Sequence, residues 1–188
     1  GILQPPFFDN HSEDATNFGA IGVVIGHELT HGFDDEGRQF DAKGNLRDWW
    51  TPADAKAFEE RSACIAKQYS NFSPVPGVYL NGKLTLGENT ADNGGVRLAS
   101  MALANTIGNT DQKKVEGFTT PQRFFLAFAQ VWCENQREEV LRLRVQTDPH
   151  SPGRFRVNGV VQNMPEFQKA FSCKAGQPMV SAQACRVW

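Results

Sequence analysis

The sequence predicts a mainly helical protein with little sheet, and three observations carry that expectation. The run AIGVVIGHELTHGF, residues 20–33, is long and largely apolar. Thr51-Pro52 and Thr120-Pro121 are helix-start signals, each placed ahead of an amphipathic or apolar stretch. LGENTADNGGVRLASMALAN, residues 86–105, has the length and composition of a further helix.

In chain order, GILQPPFF is expected to be extended, because Pro5 and Pro6 force their predecessors out of the helical region. A helix begins at Asn17 or just after it and runs through HELTH. Its glycines at 19, 22 and 26 leave a bare face that another backbone can approach. DDEGRQFDAKGNLRDWW is turn-rich, with Trp49 and Trp50 as its anchors to the core. Thr51, Pro52 and Asp54 cap a charged helix to about Tyr69, and NFSPVPGVYLNGK is loop with a short extended piece. Helices follow from about Leu84 to Asn105, from Thr120 to about Glu134, and through NQREEVLRLRVQTD. DPHSPGRFRVNG, punctuated by proline and glycine, is expected to be a loop leading to a short extended stretch. PEFQKAF is a last short helix.

With 188 residues, 40% hydrophobic content and 14 phenylalanines, the chain can bury one sizeable core. A net charge of -2 offers no pull toward a polyanion, and there is neither a basic patch nor an amphipathic anchor, which argues against nucleic-acid or membrane-surface binding. No apolar run approaches the roughly 18–20 residues of a membrane span. Cys64, Cys133, Cys173 and Cys185 are too widely spaced for a thiolate zinc site and suit long-range disulfides in an exported protein. NHS at Asn10 and NFS at Asn71 have glycosylation-acceptor form.

The chemistry starts at VIGHELTHGFDD. On a helix, residues four apart share a face, so His27 and His31 can direct two imidazoles at one point, with Glu28 placed to take a proton from water at the metal. Burying two unpaired imidazoles and a glutamate in so apolar a run would be costly, which favours a metal site over incidental polar residues. A catalytic zinc takes three protein ligands and an open position. Glu88 is the best candidate for the third, with Asp34, Asp35 and Asp92 as rivals. Glu88 and Asp92 are themselves four apart, so one helix can present a ligand and a carboxylate that orients a ligating histidine. Asp34 and Asp35 also suit a supporting or helix-ending role. Two neutral histidines and one glutamate leave Zn²⁺ a net +1, enough to polarise a carbonyl. His150, held by Asp148, is a candidate second stabiliser of a tetrahedral oxyanion. Arg154 and Arg156 point opposite ways about Phe155, and the residues alone do not choose which of them meets substrate.

These residues resemble the C-terminal part of the neprilysin and endothelin-converting enzyme family of zinc endopeptidases. GILQPPFF, VIGHELTHGFDDEGRQFD, TLGENTADNGG, FAQVWC, DPHSPGRFRVNG and CRVW follow that family's landmarks in order and span practically the whole chain. The resemblance implies a thermolysin-like helical core, with residues 1–188 forming the C-terminal part of the catalytic domain of a much longer chain. It implies one Zn²⁺ per chain held by His27, His31 and Glu88, with Glu28 as general base. Asp92 would support a zinc-bound histidine, His150 with Asp148 near it would stabilise the transition state, and Arg156 would bind the substrate backbone. Phe7, Val24, Val131, Trp132 and Ile2 would line an apolar pocket selecting large hydrophobic residues on the leaving-group side of the cleaved bond. It further implies a Cys64–Cys185 disulfide, partners for Cys133 and Cys173 near the start of the full ectodomain, and an extracytoplasmic, secreted or membrane-anchored parent. Thr90 stands where isoleucine or a similar residue is usual in that family. The asparagine-alanine-aromatic segment that binds substrate backbone in the family lies upstream of its GILQ-like stretch and is absent from these residues. Peptide substrates and the remainder of the parent ectodomain are the implied partners. The competing class is a zinc-binding structural or interaction module that does not hydrolyse peptide.

Overall fold

The computed structural model describes residues 1–108 and 114–188. Helix α1 (Asp14–Asn17), a π-helical turn (Phe18–Gly22) and α2 (Val23–His31) follow without a break, every junction residue keeping right-handed helical angles. The helix therefore starts one turn earlier than expected, with Asp14 in its first turn, where a carboxylate complements the helix dipole. Helix α3 (Pro52–Tyr69) begins as expected, the Thr51 hydroxyl accepting from the Asp54 amide. Helix α4 runs Leu86–Ile107. A two-stranded antiparallel hairpin, β1 (Lys114–Val115) and β2 (Phe118–Thr119), is the one sheet among the described residues. Helices α5 (Thr120–Val131), α6 (Glu138–Thr147), α7 (Gly153–Val161) and α8 (Pro165–Ala170) complete the chain. The cap of α5 is Thr119 rather than Thr120, in a reciprocal box with Gln122.

Helix α7 corrects the expectation of an extended stretch after DPHSPG. Pro152 and Gly153 read as loop punctuation, but Pro152 is the extended residue that caps the helix. Phe155, Arg156, Gly159 and Val160 are all buried, at the three-to-four spacing of one helical face. Gly159 is the point of closest approach, since a Cβ there would lie 2.5 Å from the Tyr69 hydroxyl oxygen.

Two apolar clusters hold these elements. One joins Val23, Val96, Phe124, Phe128 and Val160; the other gathers Phe58, Ile65, Tyr69, Phe155 and Val187. The Cys64–Cys185 disulfide ties the C-terminal coil to α3 beside the second cluster. Trp50 packs into that cluster, whereas Trp49 stays 45% exposed and donates its indole N–H to the Phe40 carbonyl. The expected anchoring therefore holds for the second tryptophan more than the first.

The pair α2 and α4 forms the centre of the molecule. Gly26 faces Gly95 so closely that a Cβ on Gly26 would lie 2.8 Å from the Gly95 carbonyl oxygen. The expected single bare face is in fact divided. Gly26 lies on α4, Gly19 lies on the α5 backbone at Phe124, and Gly22 has only ordinary surroundings. On the outer side of this pair, Ile25, Leu29, Phe33, Leu98 and Met101 are exposed. Leu29, Phe33, Leu98 and Met101 border a cavity of about 520 Å³ with Arg97 and Trp188. No helix among the described residues is long and apolar enough to cross a membrane.

Candidate metal centre

The glycine contact between α2 and α4 sets His27 and His31 against Glu88. The imidazole Nε2 atoms stand 2.9 Å apart. Glu88 reaches both, Oε2 at 3.3 Å from His27 Nε2 and Oε1 at 3.5 Å from His31 Nε2. One ligand atom from each of the three residues lies within 4.8 Å of the others. Two imidazole nitrogens and one carboxylate oxygen, converging from two helices, fit the donor set of a catalytic zinc.

The outward nitrogens are held by carboxylates. His27 Nδ1 lies 2.8 Å from Asp92 Oδ1, and His31 Nδ1 lies 2.6 Å from Asp34 Oδ2. Such contacts fix the tautomer and turn Nε2 toward the centre. Asp92 was anticipated in this role. The sequence offers Asp34 as a rival ligand or as a supporting or helix-ending residue, and of these the structure gives it the supporting role, three residues past His31. The second Asp34 oxygen accepts from the Glu36 and Gly37 amides, which locks the carboxylate in the turn after α2. Asp35, another rival, lies beside Gly87 at the start of α4 rather than in the ligand group.

Arg156 is buried and stacks 4.0 Å above the Trp132 ring. Its Nε and Nη2 donate to the two oxygens of Asp92, each at 2.7 Å, and Nη2 also reaches Glu88 Oε2 at 3.4 Å. Two of its three nitrogens thus serve the carboxylates of α4. Arg154, the alternative, is exposed on the opposite face of α7. Burial works against ionising Asp92, but Arg156 and His27 overcome it and hold its pKa below the usual carboxylate range. Glu88 is likewise held low, the contacts with His27, His150 and Arg156 outweighing burial. For His27, burial opposes the charge, yet hydrogen bonds to Asp92 and Glu88 raise the metal-free imidazole's pKa to about 9. The cluster is strongly anionic and draws in a positive charge, whether proton or metal.

His150 reaches the same place from the loop between α6 and α7. Its Nε2 lies 3.2 Å from Glu88 Oε1, and its Nδ1 lies 2.8 Å from Asp148 Oδ1. That Asp148 oxygen also accepts the His150 amide, while Arg144 donates to the other. These contacts outweigh burial and lower the Asp148 pKa to about 2, so it stays an acceptor. Glu28 is exposed on α2, and half-buried Val24 lies one turn before it. Val131 and Trp132 are half-buried at the end of α5, and Trp132 is tied to the centre through Arg156. Phe7, half-buried, is fixed to the helix by the Ile21 amide donating to its carbonyl, and Ile2 is exposed in the same N-terminal segment. Cys133 is a free, exposed thiol and Cys173 a free, half-buried one.

Comparison with known proteins agrees with this geometry. The model of peptidase family M13 matches residues 1–187. Endothelin-converting enzyme 1 of Bos taurus is 49% identical over the whole chain, which corresponds to 25% of that protein. Neprilysin of Homo sapiens is 50% identical, again over the whole chain and 26% of its own length. Among solved structures, the zinc metalloprotease Zmp1 of Mycobacterium tuberculosis in complex with an inhibitor superposes with a TM-score of 0.95 at 40% identity, covering 100% of this chain and 29% of that one. The chain thus spans about a quarter of the length of these curated relatives. It belongs to peptidase family M13.

Proposed function

We propose that residues 1–188 are the metal-carrying, C-terminal part of the catalytic domain of a zinc endopeptidase acting on small peptides outside the cytoplasm. The observation that carries this reading is the convergence of His27, His31 and Glu88 with both histidines backed by carboxylates. A purely structural zinc site would have a fourth protein ligand and no use for Glu28. Zinc bound by these three residues supplies Lewis-acid polarisation of the peptide carbonyl and acidifies water.

The chain's own groups then perform the proton transfers. Glu28 removes a proton from the attacking water and returns one to the leaving amine nitrogen. His150, with both ring nitrogens protonated, donates from Nε2 to the oxygen that becomes negative as the carbon turns tetrahedral, while its Nδ1–H donates to Asp148 and fixes the orientation of the ring. Arg156 orients Asp92 and Glu88 through Nε and Nη2, and Nη1 is the donor it offers to substrate backbone. Phe7, Val24, Val131 and Trp132, with Ile2 at the edge, form the apolar surface that favours large hydrophobic residues following the cleaved bond.

The same reading assigns a partner to the outer face of α2 and α4. Exposed Leu29, Phe33, Leu98 and Met101 border one cavity, so they form a shared apolar surface rather than scattered residues. The relatives are about four times as long as this chain, and the remainder of the parent polypeptide is the proposed cover. Partners for Cys133 and Cys173 are assigned to that remainder too. The test is Glu28→Gln in the full-length protein. It keeps one zinc per chain and lowers kcat by about 10²-fold or more. Undiminished hydrolysis by the zinc-loaded variant refutes the assignment.

A further inference from the structure

The role proposed for His150 requires its Nε2 to stay in one place relative to the metal ligands, yet the side chain is 43% exposed on a loop. Asp148 accepts from Nδ1 and orients the ring, but it lies on the same loop and moves with it. Arg144, which holds Asp148, is only half-buried, and ion pairs that keep solvent contact constrain position weakly. The loop's other end is tied to the Glu134 carboxylate, which accepts the Gly153 amide at 2.8 Å.

A buried contact joins the loop to the helix that carries Glu88. Ser151 is 1% exposed, and its hydroxyl donates to Asn89 Oδ1 at 2.8 Å; Asn89 itself is fully buried. The Asn89 amide cannot turn over without loss. The Thr85 hydroxyl gives its proton to the Asn81 carbonyl at 3.2 Å and can only accept from Asn89 Nδ2, at 2.8 Å, so the Asn89 oxygen is the atom presented to Ser151. Asn89 follows Glu88 on α4, and Ser151 follows His150 on the loop. Two adjacent pairs therefore bridge the same elements: Glu88 with His150 at 3.2 Å, and Asn89 with Ser151 at 2.8 Å. The first pair draws on Glu88, which the metal would also claim. The second uses no atom of the ligand group.

We propose that Asn89 and Ser151 form a buried clamp that positions His150 over the metal centre. Both are positioning residues acting through His150, and the inference rests on the oxyanion role given to His150 above. Displacement of a catalytic group by about 1 Å can cost on the order of 10²-fold in rate. Loss of one hydroxyl, with the rest of the loop retained, is expected to cost about tenfold.

The test is a double-mutant cycle in the full-length, zinc-loaded protein, using Ser151→Ala, His150→Ala and the double variant. Ser151→Ala is expected to keep one zinc per chain and a KM within about twofold of wild type, with kcat about tenfold lower. Its affinity for a phosphinic peptide that mimics the tetrahedral intermediate should fall by the same factor, a readout independent of turnover. His150→Ala is expected to lower kcat by about 10²-fold. If Ser151 acts through His150, adding Ser151→Ala to His150→Ala changes kcat by less than about twofold. A further tenfold loss in that background overturns the clamp, as does wild-type kcat in Ser151→Ala. Loss of zinc from Ser151→Ala also overturns it, since the contact would then serve the fold rather than His150. Unchanged kcat in His150→Ala refutes the functional reading itself, and the clamp falls with it. The two failures are thereby distinguished.

Discussion

The glycine contact between α2 and α4 makes a quantitative prediction, because two glycines on one helix differ sharply in their surroundings. A Cβ at Gly22 would meet its nearest atoms at 3.5, 3.6 and 3.8 Å, within ordinary contact. A Cβ at Gly26 would lie 2.8 Å from the Gly95 carbonyl oxygen and 2.9 Å from its Cα. Both are backbone atoms of α4, so no side-chain rotation relieves the clash. Ordinary contact begins at 3.4 Å, and the helices must separate locally by about 0.6 Å. Alanine is favoured over glycine in a helix by about 1 kcal/mol, so Gly22→Ala should be neutral or stabilising by up to that amount. For Gly26→Ala the overpacking cost of about 1–3 kcal/mol offsets or exceeds the gain.

The larger effect falls on the metal. Gly26 precedes His27, and a Cβ on Gly95 would itself press on the His27 amide at 2.6 Å, so any separation moves the ligand-bearing helices apart. Metal–ligand distances are held to about 0.2 Å, and a shift of about 0.6 Å exceeds what they absorb. Zinc affinity is expected to fall about 10–100-fold in Gly26→Ala, the range seen when groups supporting a metal ligand are lost. Titration against a competing chelator, paired with thermal melts of both variants, measures it. Zinc affinity in Gly26→Ala within about threefold of wild type would refute the reasoning, as would equal damage from Gly22→Ala.

Two further predictions follow from the charges and the disulfide. The His27 pKa, raised to about 9 in the metal-free chain, means that this imidazole must shed a proton to ligate zinc. Apparent zinc affinity should therefore rise with pH, by up to about tenfold per unit above 6.5, and level off above about 9. Over the same window the folded metal-free chain binds more protons than the unfolded one. His27's stabilising contribution is thus complete below 6.5 and lost as pH rises through about 9, which melts in chelator should show. A pH-independent zinc affinity would contradict this. The Cys64–Cys185 bridge closes a separation of 121 residues, and the chain-entropy relation puts its contribution at up to about 5 kcal/mol. Replacing both cysteines by serine should lower Tm by roughly 5–20 °C, and a change below about 2 °C would show that the bridge is energetically idle.

What the sequence reveals of this centre depends on how far apart the interacting residues lie. HELTH and the Thr51 cap are legible because each is complete within one helical turn, where spacing determines direction. Glu88 and Asp92 could be nominated together for the same reason. The 153–161 segment reads as loop and extended chain because Pro149 and Pro152 just before it, and Gly153 and Gly159 within it, have two meanings. Gly159 is there because Tyr69 lies against it, and Tyr69 is remote in sequence. The three glycines before HELTH look equivalent in the sequence, yet each meets a different neighbour, and only the packed helices distinguish them.

The sharpest case is the different support given to the two histidines. His31 is backed by Asp34, three residues on, in a turn whose own amides hold the carboxylate. His27 is backed by Asp92, on another helix, and Asp92 is in turn gripped by Arg156 from a third. A local partner keeps its ligand oriented wherever the helix goes. A distant one does so only if α2, α4 and α7 are packed in register. Arg156 therefore has a task distinct from the substrate contact proposed for it. By keeping a buried carboxylate ionised, it makes the state of His27 depend on the docking of α7. In this arrangement the competence of one proposed zinc ligand reports on the assembly of the whole centre, and the motif that points to a metal site cannot by itself build it.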